Sequence, residues 1–218
     1  MRSAIALLVL CLVAFVACRD RSRTRSPASS LERGRHNADD FSDIRGGRNN
    51  FPDPNGNYLR IKVEIIKLTN DKGLKSNGGV CDTFGTCDPV CYANLDTERP
   101  NADWPGAKPD TTWPTIYGVD DVNSPSIGVT IKKDICGPVY HEANLRIYCL
   151  DRDPATKDDL INQWDCPINR IPAANEGGAE WSPSFNCLAK FQADKMSLSY
   201  RYQIYHITRL QCNSTLTP

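Results

Sequence analysis

The stretch that decides the fold class is Tyr58-Leu59-Arg60-Ile61-Lys62-Val63-Glu64-Ile65-Ile66-Lys67-Leu68. Its apolar residues alternate with polar ones, which is the period-two pattern of a β-strand that has one face in a core and the other in water. A second alternating stretch, from Ser197 to Ile207, lies near the other end of the chain. We therefore expect two long strands that bracket a single domain.

Shorter strand candidates lie between these two, at Val90 to Leu95, Gly128 to Lys132 and Leu145 to Leu150. The segments that separate them are rich in Pro, Gly, Asn and Asp, which favour turns. No segment has a sustained helical period. Many short strands without a strand-helix-strand rhythm indicate an all-β fold, an antiparallel β-sandwich.

The N-terminal residues have the layout of a cleavable secretory signal: Met1-Arg2, an apolar run from Ala4 to Ala17, and polar residues from Arg19 onward. The run is too short to span a membrane. We expect a signal peptide over residues 1–18, cleaved after Ala17 or Cys18, and a secreted, extracellular product.

The segment that follows, residues 19–56, is rich in Arg, Ser and Asn and poor in large apolar side chains. It cannot bury enough surface to offset the entropy of ordering the chain, so we expect a disordered leader. Its arginines either stay solvated, touch anionic lipid or glycan, or mark a processing site.

Eight cysteines follow the leader, and an even number in a secreted chain predicts four disulfides. Their spacing leaves the connectivity open. A zinc site is disfavoured because no pair has the C-x-x-C spacing. These residues are Cys81, Cys87, Cys91, Cys136, Cys149, Cys166, Cys187 and Cys212.

The charge balance is even, with 26 Lys and Arg against 26 Asp and Glu, so it indicates no nucleic-acid partner. The histidines are scattered and offer no catalytic triad. The pair His141-Glu142 lacks the second His of a zinc-protease helix, and the chain has no G-x-S-x-G motif. We expect no enzyme.

Two acidic segments lie beside predicted strands, Asp82 to Cys91 and Asp151 to Ile161. Taken singly, their aspartates are ordinary turn residues. Taken together they predict calcium as cofactor, because calcium takes about six to eight oxygen ligands, largely from carboxylates on loops. Asp151 and Asp153 point the same way in an extended chain, and Asp159 returns to them across a short turn.

These segments resemble the first and the third calcium loops of C2 domains. The first is similar to the pattern D-x-x-G-x-S-D-P-Y-V, with Cys87 and Cys91 in place of Ser and Val. The second is similar to D-x-D-x-x-x-x-x-D-x-I-G, with Asn162 in place of the last Gly. The family's N-P-x-W-x-E stretch is missing. The resemblance therefore leaves undefined the middle strands and the family's second calcium loop, which lies between the two matched loops.

The resemblance implies an eight-stranded C2-type β-sandwich over residues 57–212, stapled by disulfides, with a tail over 213–218. It implies that Asp158 is only a neighbour of the ligands. Phe84 either enters a phospholipid surface or folds back onto the sandwich. The implied calcium ligands are Asp82, Asp88, Asp151, Asp153 and Asp159.

This family resemblance implies docking on an anionic phospholipid membrane surface through calcium. The alternative is a module that binds a cell-surface or matrix protein and whose calcium is structural. Family topology also implies a Cys91–Cys149 disulfide. Separately, Asn213-Ser214-Thr215 is an acceptor triplet for glycosylation at Asn213.

A secreted relative accounts for the cysteines. The stretch Asn70 to Cys81, followed by Cys87 and Cys91, is similar to the start of the N-terminal C2-like domain of Notch ligands. Ser124-Pro125-Ser126-Ile127-Gly128 also resembles part of that domain. No receptor-binding or epidermal-growth-factor-like cysteine pattern follows, so we do not expect full Notch-ligand function.

Overall fold

The computed structural model describes residues 58–83, 85–137, 139–153, 157–213 and 215–217. The predicted signal peptide and leader lie outside these residues, and so does Phe84. No helix within the described residues combines the length and the apolar character needed to cross a membrane.

The described residues form nine β-strands and three short 3-10 helices. The helices are Asp110–Thr112, Glu176–Gly178 and Arg209–Gln211. The strands are β1 Tyr58–Thr69, β2 Pro89–Asp96, β3 Thr115–Gly118, β4 Ser126–Cys136, β5 Ala143–Asp151, β6 Asp159–Ile168, β7 Phe185–Asn186, β8 Leu188–Ala189 and β9 Ser197–His206.

Two antiparallel sheets pack into the expected sandwich. One has the strand order β4-β1-β9-β7 and the other β3-β2-β5-β6-β8. The alternation read in β1 is confirmed, because Leu59, Ile61, Val63 and Ile65 are all buried. The fold class inferred from the sequence is therefore correct.

The strand count is nine and not eight, because one short segment changes sheets. β7 pairs with β9 in the first sheet, and β8 pairs with β6 in the second. Cys187 lies between them, donates its N–H to the carbonyl of Leu198 at 2.8 Å, and forms a disulfide with Cys166. A strand that crosses between the layers is thus divided in two at a buried cysteine.

β6 and β3 were not predicted, and β6 shows why. It carries the polar Asn162 on a fully buried site, and its register with β5 shifts between Cys149 and Leu150. Asn162 is satisfied by the backbone of Phe191, donating to its carbonyl at 2.6 Å and accepting from its N–H at 3.1 Å. The bulge and the buried amide together hide the alternation.

All eight cysteines after the leader are paired. The Cys91–Cys149 disulfide is confirmed, and these two residues are direct partners in the β2–β5 register. The other three disulfides are Cys81–Cys87, Cys136–Cys212 and Cys166–Cys187. Disulfides of this number are typical of oxidising compartments.

The described part of the C-terminal segment contacts β4, which is the outer strand of its sheet. Thr217 exchanges two backbone hydrogen bonds with Lys132, at 2.8 and 3.0 Å. The Cys136–Cys212 disulfide holds the segment there, and the N–H of Asn213 donates to Asp134 Oδ2 at 2.8 Å. The predicted tail is therefore continuous with the sheet edge at Thr217.

A buried arginine lies near the end of the sandwich where β2 finishes. Arg146 is 1% exposed and pairs with Asp165 at 2.8 Å and with Asp96 at 3.5 Å. It also donates to the carbonyls of Pro100 and Ala102. This side chain fixes the excursion that leaves β2.

Candidate metal centre

The strand register brings the two acidic segments together. In the order β2-β5-β6, Asp151 is the direct partner of Pro89 on one side and of Asp159 on the other. Asp88 precedes Pro89, so three of the five predicted ligands lie on or beside three adjacent strands at one end of one sheet. Sheet pairing, not loop length, determines this proximity.

Asp151 is the most deeply buried of these residues, at 1% exposed. Its Oδ1 accepts a hydrogen bond from the backbone N–H of Asp88 at 2.7 Å. Its Oδ2 is buried and has no hydrogen-bond partner within the described residues. A buried carboxylate oxygen without a donor is costly, because it has lost its water without replacement.

Burial raises the pKa of Asp151, and the nearby charges of Asp82, Asp153 and Asp88 raise it further. The hydrogen bond from the Asp88 N–H opposes them. Four carboxylates of the predicted set therefore affect one another electrostatically. The end of the sandwich concentrates negative charge around a poorly solvated oxygen.

A disulfide closes the first acidic loop. Cys81 and Cys87 have their Cα atoms 5.2 Å apart and flank the segment that carries Asp82, with Asp88 immediately after. Both sulfur atoms and a carboxylate oxygen of Asp151 lie within 4.8 Å of one another. Because the sulfurs are bonded to each other, they brace the loop and are not free thiolate ligands.

The side chain of Asn70 fixes the turn that follows β1, and its Nδ2 lies 3.7 Å from Cys87 Sγ in the disulfide of the first acidic loop. The acidic motifs did not include this residue. This fully buried residue donates to the carbonyl of Leu74 at 2.9 Å and accepts from its N–H at 2.8 Å. Its backbone N–H donates to Ser124 Oγ at 2.8 Å. An Asn directly after a long strand was the available signal, since its side chain can replace backbone partners in a turn.

Two of the remaining predicted ligands, Asp88 and Asp159, have a carboxylate oxygen that accepts a hydrogen bond from the protein, and Asp153 is held through its backbone. Asp88 Oδ1 accepts from the N–H of Asp121 at 2.5 Å. Asp159 Oδ2 accepts from Lys75 Nζ at 2.7 Å. The backbone N–H of Asp153 donates to Asp158 Oδ1 at 3.2 Å.

The five aspartates are neighbours without forming a closed cage. Within the described residues, no three of them bring carboxylate oxygens within 4.8 Å of one another. The donor set fits a hard cation nonetheless, because it consists of carboxylate oxygens and includes the unpartnered Oδ2 of Asp151. Phe84, the predicted lipid-contacting residue of the first loop, lies outside the described residues.

The structure is similar to the crystal structure of a C2 domain protein from Ramazzottius varieornatus. The two share 30% sequence identity over 73% of this chain and 95% of that chain, with a TM-score of 0.68. The chain belongs to the C2 domain family. No protein-family model and no curated protein matches the sequence.

Two further solved structures overlap this C2 domain in part. Human GIVD cytosolic phospholipase A2 shares 15% identity over 69% of this chain and 17% of that chain, with a TM-score of 0.45. The structure of Drosophila C2-DSL-EGF1 shares 13% identity over 67% of each chain, with a TM-score of 0.43.

The glycosylation triplet lies outside the acidic loops of this C2 domain, on the tail beside β4. Asn213 is exposed, and its Oδ1 accepts from the backbone N–H of Thr215 at 3.1 Å. Its side chain is thus directed by a local turn at the surface. Glycosylation at Asn213 stays a prediction.

Proposed function

We propose that this C2 domain is secreted, binds calcium through its acidic loops, and uses the ion to dock on anionic phospholipid. The proposed ligands are Asp82, Asp88, Asp151, Asp153 and Asp159. The observation that carries the proposal is the buried Oδ2 of Asp151, which has no hydrogen-bond donor among the described residues and is surrounded by other carboxylates.

Charge balance explains why a cation belongs there. The clustered carboxylates repel one another and raise the pKa of Asp151. Calcium supplies positive charge and accepts oxygen ligands in flexible geometry, so it offsets both the repulsion and the missing donor. A weak site is sufficient outside the cell, because extracellular modules bind calcium with Kd values of roughly 0.1 to 1 mM.

The position of the loops supports the proposed docking on lipid. The acidic loops lie together at one end of the sandwich, and Val80, directly before the disulfide of the first loop, is 51% exposed. An apolar side chain beside a bound cation suits an anionic membrane surface, where the charge attracts the headgroups and the apolar group is buried among lipids.

Calcium titration by calorimetry on the oxidised protein is the first test. The native protein is expected to take up calcium, and Asp151→Asn combined with Asp153→Asn is expected to remove binding. Asp103→Asn is the control, because Asp103 is exposed, belongs to neither acidic segment, and lies after the end of β2 that is opposite to Asp88. Absence of calcium binding to the native protein would remove the proposal.

Vesicle co-sedimentation then tests docking, with vesicles of equal parts phosphatidylserine and phosphatidylcholine, in calcium and in chelator. We expect the native protein to pellet with vesicles only in calcium. Equal binding by the native and the doubly substituted protein under both conditions contradicts calcium-dependent docking. A calcium-raised melting temperature without vesicle binding instead supports a protein-binding module whose calcium is structural.

A further inference from the structure

A lysine ammonium lies inside the acidic end of the sandwich. Lys75 Nζ is 2.7 Å from Asp159 Oδ2, and the lysine side chain is 18% exposed against 47% for the aspartate. Asp159 is the direct strand partner of Asp151. The positive charge therefore lies beside the same carboxylates that form the proposed calcium site.

The backbone holds Lys75 in this position. Asn70 fixes Leu74 through two hydrogen bonds, and the N–H of Lys75 donates to the carbonyl of Gly79 at 2.7 Å. The N–H of Ser76 donates to the carbonyl of Leu160 at 2.9 Å. The segment that carries the lysine is thus tied to the strand that carries Asp159, so little backbone freedom is lost when the ion pair forms.

The ammonium interacts with more than its immediate partner. The hydrogen bond to Asp159 raises the pKa of Lys75, burial lowers it, and the charges of Asp159, Asp151 and Asp153 raise it. The net direction is upward, so the side chain stays charged at neutral pH. Three of the five proposed ligands act on this one charge.

We propose that Lys75 is an internal competitor of calcium and sets the affinity of the site. The inference rests on the proposed calcium binding and adds a residue that neither the acidic motifs nor their spacing includes. Without calcium, the ammonium neutralises part of the cluster and occupies an oxygen of Asp159. Calcium binding works against this ion pair, because two cations that share one group of carboxylates repel each other.

Lys75→Gln tests the inference, since glutamine keeps a polar side chain and removes only the charge. In calorimetry at low salt, we expect calcium affinity to rise roughly tenfold, which is the scale for one unit charge acting on a divalent ion about 6 Å away in water-like screening. Lys72→Gln is the matched control: it removes the same charge from the same loop, and Lys72 is exposed. We expect that variant to change the affinity less than threefold.

Melting temperature in chelator provides a second measurement that needs no bound calcium. We expect Lys75→Gln to have a lower melting temperature than the native protein, because the carboxylates lose their internal cation. Lys72→Gln should have the same melting temperature as the native protein. Calcium should then raise the melting temperature of Lys75→Gln by more than it raises that of the native protein.

The results separate the two proposals. Equal or lower calcium affinity in Lys75→Gln, with calcium still bound by the native protein, overturns the competition and leaves the proposed function standing. Failure of both proteins to bind calcium overturns both. Higher affinity in Lys75→Gln alone, with a lower melting temperature in chelator, supports the competition.

Discussion

The backbone N–H of Asp88 donates to Oδ1 of Asp151 at 2.7 Å, so a residue of the first acidic loop supports the buried carboxylate at the start of the second acidic segment. One oxygen of Asp151 is satisfied by the protein and the other is left without a donor in the described part of the chain. This division makes Asp151 both a structural residue and the centre of the proposed site.

Asp151→Asn is therefore expected to stabilise the protein without calcium while it removes calcium binding. The amide keeps an oxygen that can accept from the Asp88 N–H and removes a buried charge. We expect the free energy of unfolding in chelator to rise by about 1 kcal/mol, measured by urea denaturation. Asp103→Asn, an exposed carboxylate outside both acidic segments, should stay within about 0.5 kcal/mol of the native protein. If Asp151→Asn is less stable than the native protein in chelator, the buried charge of Asp151 does not destabilise the calcium-free protein.

Removal of two different disulfides should affect the free energy of unfolding and the calcium affinity to different extents. Replacing Cys81 and Cys87 by alanine opens a short loop and should lower the free energy of unfolding by about 2 kcal/mol. The same change should lower calcium affinity by a factor of about ten or more, because the acidic loop is no longer held closed. Replacing Cys91 and Cys149 opens a separation of 58 residues and should cost about 4 kcal/mol.

The second disulfide variant should keep its calcium affinity once folded, because its sulfurs join two strands and do not close the acidic loop. Urea denaturation and calorimetry measure the two quantities on the same samples. If both variants lose affinity to the same extent, the disulfide of the first loop has no special role at the site.

Arg146→Met should destabilise the domain by about 3 kcal/mol or more, because Asp96 would stay buried without its cationic partner. Burial alone would raise the pKa of Asp96, yet backbone N–H groups and Arg146 hold it below its usual value. Arg152→Met is the control: its ion pair with Asp120 is exposed, at 3.6 Å, and should contribute less than about 1 kcal/mol. Similar urea midpoints for the two variants would refute the prediction.

At alkaline pH, buried tyrosines should destabilise the domain. Burial raises the pKa of Tyr200, whose hydroxyl donates to the carbonyl of Pro167 at 2.6 Å. Because the folded pKa exceeds the unfolded value of about 10, this contribution is fully present below pH 10 and is lost as the pH rises above it.

Urea denaturation between about pH 8 and 11 measures this effect as the difference between the native protein and Tyr200→Phe. The native protein should lose up to about 1.4 kcal/mol per pH unit more than the variant above pH 10. Parallel curves for the two proteins would show that Tyr200 does not contribute.

The sequence was sufficient for those parts of the fold that depend on a repeating pattern. β1 and β9 are long and alternate regularly, so their apolar residues could be read directly. β6 could not be read, because a bulge and the buried Asn162 interrupt its alternation, and the segment at Cys187 could not, because two-residue strands have no period. These features depend on partners distant in the chain.

The sequence predicted that the two acidic segments meet, but it did not predict the side chains that contact them. The motifs identified Asp151 and Asp159, and the register places them side by side. The motifs gave no indication that Lys75 pairs with Asp159 or that Asn70 supports the loop, since both contacts depend on how a turn folds back against the sheet. Local patterns identify ligand types, whereas competing charges come from tertiary structure.

The C-terminal segment beside β4 also affects how the molecule behaves among its own copies. An outer strand with free N–H and C=O groups is a template on which another chain can add and start aggregation. Thr217 occupies these groups at Lys132, and the Cys136–Cys212 disulfide prevents the segment from peeling away. The oxidised protein therefore covers the β4 edge at Lys132, and reduction of the Cys136–Cys212 bond would loosen the segment that covers it.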